Sequence, residues 1–267
     1  MKRYAYLFLF VLAAAVCAGP SLARNASGAP GFIQAPTSTQ PLMAQPGGAI
    51  TVDVAEPVYN SCGCRFHLYL DSQEGRVELS DITRLPDPAT GVYRFSAGTT
   101  AGMESGLYNL VAQKGSNHDT ALHAVSLQEE FPDAFSIMQI HNPRVNDITG
   151  HSLELAAERA ARDAPAFIVI TGDVVAENTP ENITRALDII NKMPAPVFVA
   201  TPGTDASLRA VFGPLPRVFS PGGHVMLLAP PRDGDTAPPG CAETPVWDIT
   251  RNDPHRESDY QAFNASP

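Results

Sequence analysis

Phe135-Ser-Ile-Met-Gln-Ile-His-Asn-Pro-Arg144 opens the stretch that decides the fold, and Ala166-Phe-Ile-Val-Ile-Thr-Gly-Asp173 closes it. Between them, residues 151–162 place Leu153, Ala156, Ala157 and Ala160 at helical spacing. Two short apolar runs joined by a helix make a strand–crossover–strand unit, because parallel strands need a connection of about a dozen residues or more. The pattern then repeats. A helix over 181–193, with Ile183, Leu187, Ile190 and Met193 on one face and Pro180 suited to its first turn, leads to Pro196-Val-Phe-Val-Ala200 and then Thr201-Pro-Gly-Thr-Asp205. The strands therefore run into Asn142, Asp173 and Asp205. Ligands of open α/β sheets bind beyond the carboxyl ends of the strands, so the candidate site lies there. A short helix over 205–212 and strands at 218–219 and 225–229 are expected next, and the Pro- and Gly-rich stretch from Pro230 to Pro267 reads as an irregular tail.

Upstream the texture differs. Ile50-Thr-Val-Asp-Val54, Phe66-His-Leu-Tyr-Leu70 and Val92-Tyr-Arg-Phe95 alternate apolar and polar residues, and runs at 106–112 and 121–127 come after them. Turn signals such as Asp71-Ser-Gln-Glu-Gly75 and Lys114-Gly-Ser-Asn117 separate them. Short alternating strands at this spacing predict a β-sandwich over 48–127, immunoglobulin-like in its late strands. The chain is thus expected to be α+β with two domains, the sandwich and then an α/β domain over 131–229. Residues 24–47, rich in Pro, Ala, Ser and Gly, read as a flexible leader. His67, His118 and His123 lie in the sandwich without metal-ligand spacing, with His118-Asp119 expected in a turn, and are assigned no role.

The 267 residues carry a net charge of -10 and show no basic stripe, which argues against nucleic acid and anionic membranes as partners. Lys2 and Arg3, an apolar stretch over 4–17 and Ser21-Leu-Ala23 form a signal peptide over 1–23, implying an exported, periplasmic or extracellular protein. Lipoprotein processing at Cys17 is the rival, though Val16 before it is a poor fit. The remaining cysteines are Cys62, Cys64 and Cys241. With one residue between them, Cys62 and Cys64 are too close for a standard zinc pair. Either they join each other or one joins Cys241, with one thiol left over; a redox or metal site is the functional alternative.

The stretches 135–144, Ile170-Thr-Gly-Asp-Val174 and Val197-Phe-Val-Ala-Thr-Pro-Gly203 resemble the first three motifs of the calcineurin-like metallophosphoesterases, and Leu208-Arg-Ala-Val-Phe-Gly-Pro214 resembles the family's next segment. A sandwich ahead of such a domain is similar to the purple-acid-phosphatase arrangement. The resemblance implies two metal ions (Mn, Fe or Zn) that clamp a phosphate and activate a water. The family holds them with an Asp-x-His turn, a Gly-Asp, a Gly-Asn-His-Asp/Glu turn and later histidines. Here Asp173 matches the bridging carboxylate. Asn142 stands at the first Asp, Arg144 at its His, and Thr204, Asp205 and Ala206 at the third motif; Gly223-His224 does not match the later histidines. An Arg stays protonated in proteins and opposes a metal.

No cofactor is therefore expected. The chain reads as an exported metallophosphoesterase-like protein that has lost most metal ligands and serves as a binding or scaffold module, its partner an unidentified protein or an anionic small molecule. The alternative is an active metal-dependent phosphoric ester hydrolase, with one metal held among His141, Asn142, Asp173, Asp205 and His224. Strand alternation, however, turns His141 and Asn142 to opposite sides. A further alternative has Arg144 and helix-start N–H groups hold an anion without metal; yet another is an incomplete gene product with no selected activity. Arg144 and Asp173, at neighbouring strand ends, are expected to pair.

Overall fold

The computed structural model describes residues 31–86, 91–131, 135–200, 208, 211–213, 217–219, 225–228 and 246–248. Its strands are β1 (Ile33–Ala35), β2 (Leu42–Ala44), β3 (Ala49–Ala55), β4 (Phe66–Ser72), β5 (Gly75–Glu78), β6 (Ser80–Arg84), β7 (Val92–Gly98), β8 (Gly106–Lys114), β9 (Asn117–Leu127), β10 (Ile137–His141), β11 (Phe167–Thr171), β12 (Val197–Ala200), β13 (Arg217–Phe219), β14 (Val225–Leu228) and β15 (Val246–Asp248). The helices are α1 (Glu56–Tyr59), α2 (Gly150–Asp163) and α3 (Pro180–Ile190). The described chain is mostly β-sheet with few helices, in open sheets that mix parallel and antiparallel pairing.

Two sheets come first, ordered β1-β3-β7-β6 and β2-β9-β8-β4-β5. Alternation explains their shared core. Ile50, Val52 and Val54 of β3 are buried with Phe95 and Ala97 of β7, against Leu68 and Leu70 of β4 and Leu110 and Ala112 of β8. The intervening residues of β3, such as Thr51 and Asp53, look outward. His118-Asp119 lies in β9 rather than in a turn. Asp119 is buried, its Oδ2 accepting from the Ile33 N–H at 2.9 Å, which ties β1 to β9.

The parallel sheet comes next, in the order β10-β11-β12. Both faces of β11 are covered, and every one of its residues is buried. Ile168 and Ile170 pack with Leu153 and Ala160 of α2 and with Ile183, Ala186 and Ile190 of α3. Phe167 and Val169 pack on the other side with Phe198, Phe131, Phe135 and Met43. Helix α3 begins with Pro180, and the Thr179 side chain accepts the Asn182 N–H.

Two expectations need correction. Residues 31–47 are not a flexible leader. They supply β1 and β2, and Thr37, Thr39 and Gln40 are buried. The Val199 N–H donates to the Thr39 carbonyl at 2.9 Å, so this turn lies along the free edge of β12. Gln40 Nε2 donates to the Phe212 carbonyl at 2.7 Å, and Thr39 Oγ1 donates to the Val211 carbonyl at 3.3 Å. A composition that reads as solvated is thus held by acceptors far along the chain. Likewise the tail is not irregular throughout, since β15 pairs in parallel with β14. The signal segment and Cys241 lie outside the described residues. Among the described residues no helix is long and apolar enough to cross a membrane.

His123 sits at a bulge of β9, with φ at 48° and its N–H donating to Asn109 Oδ1. Its ring lies near the Met193 backbone, just past α3, and its Nδ1 is buried with no hydrogen-bond partner. Burial lowers its pKa below the usual imidazole value, against the opposing effect of the Met193 backbone. The unfolded chain therefore takes up this proton first as pH falls. The stability that depends on a neutral His123 is complete above about pH 6.5 and is lost progressively below it. We expect the urea midpoint of His123→Asn to fall less between neutral pH and pH 5 than that of the wild type.

Candidate functional site

The ends of β10 and β11 stay zipped beyond the strands. His141 pairs with Thr171 in register, and Val145 bridges Val175. Between these points the Asn142 N–H donates to the Thr171 carbonyl at 2.9 Å, the Arg144 N–H to the Asp173 carbonyl at 3.0 Å and the Val145 N–H to the Val174 carbonyl at 2.8 Å. The Asp173 N–H donates to Asn142 Oδ1 at 2.8 Å, so a side-chain amide fills one rung of the ladder.

The protons can be assigned from this rung. A backbone N–H only donates, so Asn142 Oδ1 faces Asp173 and Asn142 Nδ2 faces away. Nδ2 meets His141 Nε2 at 2.8 Å, which makes Nε2 an acceptor. His141 Nδ1 then carries the hydrogen and donates to Thr171 Oγ1 at 3.0 Å, where Gln139 Nε2 also donates at 3.3 Å. Both ring nitrogens and both amide atoms are engaged within the site.

Backbone conformation permits this. Asn142 and Arg144 have φ of 49° and 45°, and Gly172 has φ of 75°. The left-handed Asn142 breaks strand alternation, so its side chain meets that of His141 instead of turning away as expected. Gly172 makes room: a β-carbon there would collide with the Asn142 amide and lie 3.2 Å from His141 Cε1.

His141, Asn142, Arg144 and Asp173 are thus gathered at one sheet end. Asp205 and His224 lie outside the described residues. Sequence reasoning missed Thr171, Gln139 and Gly172; the signal for Thr171 was a hydroxyl immediately before the Gly-Asp pair. The expected Arg144–Asp173 ion pair is not formed. Their backbones bond, both side chains are exposed, and among the described residues neither makes an ion pair. The N–H groups of Asn142, Arg144, Val145 and Asp173 are all spent on the ladder. An anion here would rest on the Arg144 side chain without their help.

The donors among the described residues do not fit two divalent ions. They include one carboxylate, Asp173, while the neighbouring amide and imidazole bond each other and the exposed Arg144 shares the strand end. Among the described residues no group of three or more His, Cys, Asp or Glu is placed to hold a metal. Elsewhere, a disulfide joins Cys62 to Cys64, choosing between the pairings that the spacing leaves open.

No protein-family model and no curated protein matches the chain. Among solved structures it has a weak likeness to a purple acid phosphatase from yellow lupin (Lupinus luteus) seeds, with 11% identity, 72% of this chain and 45% of that one covered, and a TM-score of 0.36. An amylomaltase from Corynebacterium glutamicum gives 15% identity, 49% and 20% coverage and a TM-score of 0.26. The chain spans less than half the length of either. Likenesses this slight carry no argument about activity.

Gly172→Ala should cost about 1–2 kcal/mol from its positive φ alone, and more once Asn142 is displaced. Asn142→Ala should cost about 1 kcal/mol, because the groups it leaves are near solvent. Urea unfolding of both variants, with amide exchange at Asp173, checks the order. Asp173→Asn keeps every backbone bond of the ladder and should shift stability by less than about 0.5 kcal/mol in the same assay.

Proposed function

We propose that this is an exported, non-catalytic relative of the metallophosphoesterases, in which an immunoglobulin-like sandwich precedes an α/β domain that serves as a binding or scaffold module. One observation carries the reading. The side chain at the first ligand position, Asn142, is committed to the Asp173 N–H and to His141 Nε2. A catalytic site of this family would need that position as a carboxylate turned toward a metal, with an imidazole two residues on. Here a neutral amide splices two strands and a guanidinium takes the imidazole's place.

What the site offers a partner is charge on a rigid base. Arg144 and Asp173 are exposed on loops that the extended ladder fixes. A guanidinium recognises a carboxylate or phosphate through paired N–H donors, which suits an anionic small molecule or an acidic segment of a protein. The charged start, apolar stretch and small residues over 1–23 support export.

The test is metal content and hydrolysis together. Purified mature protein is dialysed against Mn, Fe and Zn, analysed for bound metal, and assayed on a phosphate monoester and a diester. We expect no stoichiometric metal and no turnover. Binding of about two metals per chain, with turnover that Asp173→Ala abolishes, would restore the enzyme reading.

A further inference from the structure

The Cys62–Cys64 disulfide sits on the turn between β8 and β9. Both sulfurs lie against Gly115, where φ is 62° and a β-carbon would meet Cys64 Sγ at 2.9 Å and Cys62 Sγ at 3.0 Å. Lys114, buried apart from 5% of its surface, donates from Nζ to the Cys64 carbonyl at 2.9 Å and lies 3.9 Å from the centre of the Tyr59 ring. Asn117 Nδ2 donates to Ser61 Oγ at 2.7 Å. The loop is therefore docked by a carbonyl, a hydroxyl and a glycine surface as well as by its S–S bond.

Three features separate this bond from a structural staple. It closes a sequence separation of 2, so it restricts the unfolded chain far less than a bond across a long loop. Cys64 is exposed and Cys62 half-buried, so a thiol can reach it. Two cationic residues lie on the Cys64 side: Lys114, whose ammonium donates to the Cys64 carbonyl, and exposed Arg65, next in the chain, which makes no ion pair among the described residues. Positive charge on this side favours the Cys64 thiolate, and so Cys64 Sγ as the leaving group when the mixed disulfide resolves.

We propose that Cys62–Gly63–Cys64 is a redox-active exchange site that passes its disulfide to an external dithiol. A thiolate of the dithiol attacks Cys64 Sγ; the S–S bond breaks and its electron pair leaves on Cys62 Sγ. The second thiolate of the dithiol then attacks its own sulfur in the mixed disulfide and releases Cys64. The dithiol loses two electrons and becomes a disulfide, the cysteine pair gains them, and the two protons from the dithiol end on Cys62 and Cys64. Oxidised glutathione runs the reaction backward.

The experiment uses the mature chain carrying Cys241→Ser, so that only this pair reports. Folded protein is treated with dithiothreitol, quenched with acid, alkylated with a mass tag and mapped by peptide mass spectrometry. We expect both Cys62 and Cys64 to be labelled while the far-UV spectrum stays native, and the bond to re-form with oxidised glutathione. Arg65→Gln, on the surface, and Lys114→Gln should each slow reduction several-fold. The proposal is overturned if the pair resists reduction until the protein unfolds, if the fold is lost with the bond, or if neither variant changes the rate.

Discussion

A parallel strand with apolar residues on both sides has to be covered on both faces, and β11 meets that requirement with two different kinds of partner. On the side of Ile168 and Ile170 the cover is helical and local in sequence. On the side of Phe167 and Val169 it is aromatic, with Met43 reaching in from β2. The N-terminal strands and the α/β unit are therefore coupled through one sheet. The edge contact of Thr39 with Val199 and the ring of His123 at Met193 add to the same seam.

The candidate site inherits its rigidity from that buried strand. Because β11 is buried on both faces and paired on both edges, its continuation through Gly172 and Asp173 offers β10 a defined row of acceptors and donors. Asn142 completes the row with its side chain. Buried or not, a side-chain amide in a backbone rung fixes spacing between strand ends, whereas a metal site needs ligands that stand apart and converge on a common point. The same position cannot do both. An amide at this position donates to a ring nitrogen, which a carboxylate in its place could not do.

What could be read in the sequence was what repeats locally. The run at 166–170 and the helical spacing of Leu153 and Ala160, or Ile183 and Ile190, located β11, α2 and α3 to within a few residues. The alternation of Ile50, Val52 and Val54 located β3 and its inward face. What could not be read was what depends on distant acceptors or on single dihedral angles. Nothing in Pro-Thr-Ser-Thr-Gln distinguishes a solvated leader from a turn clamped to Phe212. Opposite charges at Arg144 and Asp173 suggested a pair, but positive φ at Arg144 accompanies a backbone bond in its place. The strands β5 and β6 were missed because each carries a single large apolar residue, Val77 and Ile82, too few to show an alternation.

The clamp at Thr39 and Gln40 also dictates an order of assembly. Its hydrogen bonds to Val211 and Phe212 join residues 172 positions apart. During synthesis the turn at 37–40 emerges long before both the β12 edge that it covers and the carbonyls of Val211 and Phe212 that hold it. Contacts of such separation fold slowly, because the intervening chain must be ordered first. Until the turn docks on β12, the unpaired outer edge of that strand is a place where another strand could attach. The N-terminal turn thus acts as a built-in guard of the sheet, one that arrives first and engages last.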